Sequence, residues 1–404
     1  KYEDVDDVGK FIPTLNQIIN SLRQLLIFII FPILLILNLS RFENKNLKEN
    51  LPFFCLFLYF LLQIPGLLFT ENTYLNLSYV ISSLNILLIF NLTDQFFNKK
   101  TYKIFIYINL FFLILITFLN REALISFWNS DIGNVLYLFR DANSDIFFGK
   151  SAPRATGSAR VILLIYIISI FIFKDFFKNH KVLKNTFYLI TAVIILLYQS
   201  RTVIVMGAVF LFINYFDEKN KNIFRYLIFH IIVPIIALYL IIFIKNYEQI
   251  RISGGILNYS NSIQSIEKNF VRPFDPDSFS SGRAEDWHNL ISKYKKYFKY
   301  FGYGAQADRF LINQSASNGI IYAFTSSGVI GIFFYSIFVL SCLVKIFNNL
   351  VLKLKRCSSE HRLNSIVILL ILARSVLETS FSVFSVDLII ICTFYTYLSK
   401  KNYL

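Results

Sequence analysis

Long runs of apolar residues, separated by short basic connections, constrain this chain more than any other feature of its sequence. A helix of about 20 apolar residues crosses the ~30 Å hydrocarbon core of a bilayer, whereas barrel strands show a weaker alternation over about ten residues. Only 16% of the residues are charged, against roughly 25% in soluble domains. The sequence therefore predicts an all-α polytopic membrane protein of about 11 transmembrane helices. The predicted spans lie near residues 24–40, 51–70, 75–94, 102–119, 159–174, 185–200, 201–216, 223–245, 320–347, 363–380 and 383–399.

Lysine and arginine residues cluster on alternate connections between these spans, as the positive-inside rule requires of cytoplasmic loops. The net charge of +15 is therefore interpreted as membrane topology, and no nucleic-acid partner is expected. The other connections face the opposite side of the membrane, and two of them, 120–158 and 246–319, are long. The second is expected to be a partly helical outer subdomain. The predicted parts are residues 1–245 with eight spans, 246–319, and 320–404 with three spans.

The cysteines and the N-terminal acids give no sign of a metal site. The four cysteines have no paired spacing, so neither a disulfide framework nor a zinc site is predicted. A metal-dependent polyprenyl-phosphate-sugar transferase would need an acidic pair in its first outer loop, whereas the acids of YEDVDDV precede the first span. No metal and no cofactor are therefore expected.

The stretch SGRAEDWHN, in the long connection 246–319, gathers more ionisable groups than its apolar surroundings. A serine before the acids would cap a helix with those acids at its positive end, which places an arginine at the helix start. The helical spacing continues to about residue 301. A solvated helix with a packed tryptophan is the structural alternative to a reactive site. The candidates in this stretch are Arg283, Glu285, Asp286, Trp287 and His288.

Other arginines lie at the predicted membrane edges, where ionisable groups are costly and thus candidates for function. Arg201 opens a span, either as a snorkelling terminal residue or as a ligand for phosphate. Arg154 and Arg160 bracket the segment RATGSAR, in which a helix is expected to begin at Gly157 or Ser158, either as an ordinary cap with flanking arginines or as an anion site. Arg374 precedes Glu378 by four residues, and an intrahelical ion pair is the preferred interpretation.

The segment SNGIIYAFTSSGVIG resembles a pattern of the O-antigen ligase and polymerase superfamily. In that pattern, His precedes Asn, Ser or Gln, and after nine residues come Gly, two residues, and Gly, Thr or Tyr. Other elements of the superfamily agree in order along residues 154 to 335. They are Ser200-Arg201, Ser281-Gly282-Arg283 with Trp287, and Gly302-Tyr303-Gly304, followed by Ser317-Asn318, Gly328 and Gly331.

The resemblance implies a metal-independent glycosyltransferase of the bacterial inner membrane. Members of the superfamily take a glycan from undecaprenyl pyrophosphate and join it to a hydroxyl group on the periplasmic side, and a chain-length regulator protein is an implied partner. The arginines matching Arg201 and Arg283 are thought to hold the pyrophosphate. The further residues expected to bind substrate are Arg154, Arg160, Trp287, Tyr303, Ser317, Asn318 and Arg374.

The chain departs from the superfamily pattern at Ser317, where the ligases have their presumed histidine base. A serine hydroxyl is not a base near neutral pH, so either His288, Glu285 or Asp286 takes that role, or the arginines and positioning carry the reaction. The departure favours a polymerase of lipid-linked repeat units over a ligase that transfers the glycan to lipid A-core. A non-enzymatic flippase is the remaining alternative, and it would need pseudo-symmetry and a charged central cavity.

Overall fold

The computed structural model describes residues 15–42, 47–69, 73–93, 99–119, 155–197, 200–217, 228–237, 283–294, 300–312, 315–352 and 359–399. These ranges are almost entirely helical and contain no β-strand, which confirms the all-α prediction. Most of the two long outer connections, including Arg154, lies outside the described residues.

The helices follow the apolar runs of the sequence. Each of the eleven predicted spans overlaps a helical segment in the described residues. The α-helices are α1 (Leu15–Phe42), α2 (Leu47–Leu61), α3 (Thr73–Thr93), α4 (Lys99–Leu119), α5 (Ala155–Ile172), α6 (Lys174–Asn179), α7 (Lys181–Leu197), α8 (Arg201–Asp217), α9 (Arg283–Lys293), α10 (Ala307–Ile312), α11 (Gly319–Phe347), α12 (Ser359–Ser375) and α13 (Val386–Ser399). Shorter helical turns cover Pro65–Phe69, Ile228–Ile232, Asn348–Leu352 and Ser380–Ser382.

Four helical segments among the described residues are long and apolar enough to cross a membrane, namely Leu51–Leu68, Thr73–Leu92, Thr101–Phe118 and Gly319–Leu350. Shorter apolar helices cover Gln24–Asn38, Gly157–Ile172, Thr202–Ile213 and Val386–Leu398. These helices confirm a multi-pass membrane protein, while the number of spans stays a prediction.

The fold divides into two compact units built from segments that interleave along the chain, whereas the three predicted parts are consecutive. The first unit takes its described residues from 1–98, 283–347 and 375–403. The second takes them from 99–282 and 348–374.

Aromatic rings form the centre of the first unit, where α11 packs along α2, and α3 contacts α1, α2 and α13. The rings of Tyr335 and Phe381 are stacked with centroids 5.3 Å apart. Phe338 lies 5.6 Å from Tyr395 in the same cluster. The hydroxyl of the buried Tyr59 donates a hydrogen bond to the carbonyl oxygen of Ser382 at 2.8 Å. The large buried rings thus fix α2, α11, α13 and the turn before α13 together.

The second unit is organised around α5, which packs against α4, α7 and α8. The buried ring of Tyr166 on α5 lies 5.5 Å from Phe187 and 6.1 Å from Phe210. The outer face of α4 carries exposed apolar side chains, including Phe111 and Phe112. Such a continuous apolar face is typical of a surface in contact with lipid.

Helix α11 is broken at Gly328, whose φ of 67° and ψ of −167° are not helical. In an unbroken helix, the carbonyl oxygen of Ser326 would accept a hydrogen bond from the backbone N–H of Ile330. Here it accepts the N–H of Gly304 at 2.8 Å instead. The backbone groups freed by the break are thus bonded to another part of the protein, as a membrane interior requires.

The segment Gly302-Tyr303-Gly304 supplies the N–H groups that bond to the carbonyl oxygens of α11 before its break. The N–H of Tyr303 donates to the carbonyl oxygen of Thr325 at 2.8 Å. A Cβ placed on Gly302 would lie 2.5 Å from the backbone of Ser326. A Cβ placed on Gly304 would lie 2.8 Å from the backbone nitrogen of Leu67. Glycine is therefore required where this segment passes between the broken helix and the turn after α2.

Candidate functional site

Helix α9 presents the predicted cluster of ionisable residues on the first unit. It begins at Arg283, with Glu285 and Asp286 in its first turn, and these acids complement the positive end of the helix dipole. The predicted position of Arg283 at the helix start is confirmed, although its side chain lies outside the described residues. The predicted continuation to residue 301 is wrong in extent, because α9 ends at Lys293.

The buried side of α9 is anchored to the chain just before Asn318. The indole N–H of Trp287 donates a hydrogen bond of 2.6 Å to the carbonyl oxygen of Ala316. Leu290, one turn further along α9, is fully buried in a small cluster with Ala316 and Tyr322. Trp287 therefore holds α9 in place, while its predicted contact with a sugar stays a prediction.

The three candidate bases on α9 have different environments. Glu285 and His288 are exposed, whereas Asp286 is half-buried. Burial raises the pKa of the Asp286 carboxyl group, and the nearby Glu285 carboxylate raises it further. A carboxylate with a raised pKa accepts a proton more readily than a fully solvated one. The environment therefore makes Asp286 a stronger base than an ordinary solvated aspartate, while the choice among the three candidates stays a prediction.

Asn318 forms the N-terminal cap of α11. Its side-chain oxygen accepts hydrogen bonds from the N–H groups of Ile320 at 2.9 Å and Ile321 at 3.0 Å. Its amide nitrogen donates to the carbonyl oxygen of Val376 at 2.9 Å. These bonds satisfy the first turn of α11 and tie it to the segment after α12. Capping accounts for the asparagine of the motif, and its predicted contact with substrate stays a prediction.

Ser317 occupies the position of the superfamily histidine and has a φ of 47°. This left-handed conformation is uncommon outside glycine, but asparagine, aspartate and histidine adopt it more readily than most residues. The backbone at this position therefore suits the histidine of the superfamily pattern. Binding of substrate by Ser317 stays a prediction.

Tyr303 packs into the first unit rather than lying on its surface. Its ring is 5% exposed and meets the ring of Tyr294, edge to face, at 5.4 Å. The structure therefore shows a packing contact for Tyr303, and its predicted contact with substrate stays untested.

A polar cavity of about 250 Å³ lies in the first unit among α2, α3, α10 and α11. Four aromatic side chains contribute to its wall. They are Phe60, Tyr79, Tyr322 and Phe384. Polar side chains complete the lining, among them Gln63, Ser83, Gln306, Asp308, Arg309 and Thr379. Neither Gln63 nor Asp308 is among the site residues predicted from the sequence.

Asp308 is the buried acid of this cavity, with 3% of its surface exposed. Its carboxylate accepts the N–H of Ala316 at 2.7 Å and the N–H of Arg309 at 2.9 Å. Burial raises the pKa of this carboxyl group, and the two hydrogen bonds offset part of that rise. The sequence carried no membrane-edge signal for Asp308, because it lies within the connection 246–319, well before the span predicted at 320–347.

Gln63 brings a buried amide donor to the same cavity. It is 2% exposed, and its Nε2 atom has no hydrogen-bond partner within the described residues. A buried donor left unsatisfied costs about 1 to 3 kcal/mol. This polar group inside a predicted span was the signal in the sequence, but nothing local connects it to Asp308.

Arg201 and Arg160 both lie in the second unit. Arg201 is the first residue of α8, which confirms that a new helix starts there, while its side chain lies outside the described residues. Arg160 is half-buried on α5. That helix begins at Ala155, so the predicted start at Gly157 or Ser158 is two or three residues late.

Arg374 and Glu378 do not lie on one helix, so the intrahelical geometry predicted for their pair is wrong. Helix α12 ends at Ser375, so Glu378 lies beyond the helix and not one turn along it. Both side chains are buried. The backbone leaves the helix after Ser375. Residues four apart are neighbours only within a helix, so this spacing does not place Arg374 and Glu378 on one helical face.

No group of three histidine, cysteine, aspartate or glutamate side chains in the described ranges could hold a metal ion. The absence of a metal requirement stays a prediction.

Comparison with known proteins identifies one family. Residues 186–336 match the family described as O-antigen ligase. No curated protein and no solved structure matches the chain. The matched region contains every motif from Ser200-Arg201 to Gly331, including α9 and the break in α11. The match confirms the resemblance predicted from those motifs and supports the O-antigen polymerase and ligase superfamily for this multi-pass membrane protein.

Proposed function

We propose that this protein is a polymerase of surface polysaccharide, which joins undecaprenyl-pyrophosphate-linked repeat units at the periplasmic face of the bacterial inner membrane. The observation that carries the proposal is the match to the O-antigen ligase family over residues 186–336. Ser317, in place of the ligase histidine, favours the polymerase over the ligase.

The elements around the polar cavity support a site on the outer side. The basic residues of the connections predict that the C-terminal end of α2, the start of α3, α10 and the start of α11 lie on the side opposite the basic loops. These elements all line the cavity. The active side is therefore proposed to be periplasmic.

The proposed reaction exchanges one bond to the anomeric carbon for another. A base on α9 removes the proton of an acceptor hydroxyl, and that oxygen attacks the anomeric carbon of the donor sugar. The bond from this carbon to the pyrophosphate oxygen breaks, and the lipid pyrophosphate leaves with the electron pair. Asp286, Glu285 or His288 takes the proton.

Arg201 and Arg283 are the proposed ligands of the pyrophosphate. Each is the first residue of a helix, where N–H groups and the helix dipole also favour an anion. Guanidinium groups placed in advance stabilise the charge that develops on the leaving pyrophosphate. Arg154, Arg160 and Arg374 are proposed to contact other parts of the substrate, and a chain-length regulator is the proposed protein partner.

The proposal is tested with purified protein in lipid nanodiscs, supplied with lipid-linked repeat units. Products should lengthen by whole repeats, and EDTA should not reduce the rate. One of Glu285→Gln, Asp286→Asn and His288→Ala should lose about a hundredfold in rate, as expected for removal of a general base. Full activity in all three variants would show that α9 carries no base. Absence of any longer product from folded wild-type protein would contradict the polymerase.

A further inference from the structure

The polar cavity combines a hydrogen-bond donor with a hydrogen-bond acceptor, and both are buried. Gln63 contributes a buried donor without a partner among the described residues. Asp308 contributes a buried carboxylate, and each carboxylate oxygen has lone pairs beyond those used by Ala316 and Arg309. An occupant that both accepts and donates hydrogen bonds would satisfy both groups.

The charge of the cavity disfavours an anion at its centre. The Asp308 carboxylate lines the cavity and is 3% exposed, so a pyrophosphate in direct contact would meet like charge with little screening. The nearby cation, Arg309, is exposed at the same cavity. The centre thus suits a neutral polar group, and an anionic group would lie toward Arg309.

The aromatic wall favours a flat occupant with C–H faces. Tyr79, Tyr322 and Phe384 line the cavity beside the polar groups, and ring faces attract C–H bonds through dispersion and their negative π surface. The cavity of about 250 Å³ is smaller than the ~300 to 1,000 Å³ usual for drug-sized ligands. It therefore has room for one sugar ring and not for an oligosaccharide.

We propose that this cavity is a monosaccharide subsite, in which Gln63 donates to, and Asp308 accepts from, the hydroxyl groups of one sugar residue of the repeat unit. The inference rests on the proposed function only for the identity of the glycan. The subsite would bind one terminal residue and leave the rest of the repeat unit outside. It requires no bond to be made or broken by Gln63 or Asp308.

Gln63→Leu separates this role from a structural one. Leucine carries no hydrogen-bonding side-chain atom, so it removes an unsatisfied buried amide and should leave the stability of the protein unchanged or higher. A bound sugar would lose a hydrogen bond, and its affinity should fall about three- to tenfold. Ser83→Leu, on α3, should reduce affinity further because the larger side chain occupies the cavity. Asn109→Leu replaces a buried amide on α4 and serves as the matched control.

The experiment titrates the purified full chain in nanodiscs with the repeat-unit oligosaccharide, released by mild acid from the lipid-linked pool of the same strain, and measures binding by saturation-transfer NMR. Weaker binding in Gln63→Leu and Ser83→Leu, with wild-type binding in Asn109→Leu, supports the subsite. Unchanged affinity in both cavity variants, or an equal loss in Asn109→Leu, overturns it. This assay needs no turnover, so a chain that binds glycan but does not polymerise would contradict the proposed function alone.

Discussion

Arg201→Ala and Arg283→Ala are each expected to reduce polymerisation by at least about a hundredfold, because loss of one donor to a developing anion commonly costs that much. Lysine at either position should restore little, since an ammonium group cannot bind phosphate oxygens with the bidentate geometry of arginine. The measurement is the rate of chain extension by each purified variant at matched protein abundance.

Arg356→Ala is the control for these two variants, because it removes an arginine from a connection predicted to be cytoplasmic. It should leave the rate of extension close to that of the wild type. If Arg201→Ala or Arg283→Ala also extends chains normally, that arginine is a snorkelling or capping residue and not a ligand of the donor.

Gly328→Ala is expected to destabilise the protein by about 3 kcal/mol or more. The φ and ψ of Gly328 lie in a region that is essentially restricted to glycine. A Cβ at this position would also lie 2.3 Å from the backbone carbonyl carbon of Tyr300, so the crossing segment would have to move. The thermal unfolding temperature in detergent and the abundance of the protein in membranes should both fall.

Gly207→Ala tests whether this effect is specific to the break. Gly207 lies within α8, and a Cβ there would meet nothing within 4 Å. Alanine should therefore be neutral or stabilise the helix by up to about 1 kcal/mol. Equal stability of Gly328→Ala and the wild type would show that α11 does not need its break.

The apolar runs were sufficient to predict the helices because each run satisfies its own backbone hydrogen bonds locally. The break in α11 was not predicted, although Thr325-Ser326-Ser327-Gly328 interrupts the apolar run, because small and hydroxylated residues also occur within unbroken membrane-spanning helices. Backbone hydrogen bonds from α11 to Tyr300, Tyr303 and Gly304 stabilise the break. A pattern of apolar residues does not encode such backbone pairing.

The start of α9 was predictable because capping and helix-dipole preferences act within one turn. The cavity was not, since Gln63 and Asp308 line the same wall from positions 245 residues apart in the chain. The sequence signalled Asn318 through the superfamily motif, but its bond to Val376 required the folded unit. The motif residues Asn318 and Gly328 thus hold backbone elements of the first unit in place, whereas the reactive roles of α9 and of the arginines stay predictions.

The most direct test of the proposed function is the surface polysaccharide of a strain that lacks this protein, separated by length on a gel. Loss of a polymerase leaves the lipid core bearing a single repeat unit, and the full chain supplied in trans should restore the ladder, whereas the Arg283→Ala variant should not. A core without any repeat unit would contradict the polymerase, because loss of a ligase or a flippase prevents even the first repeat unit from reaching the core.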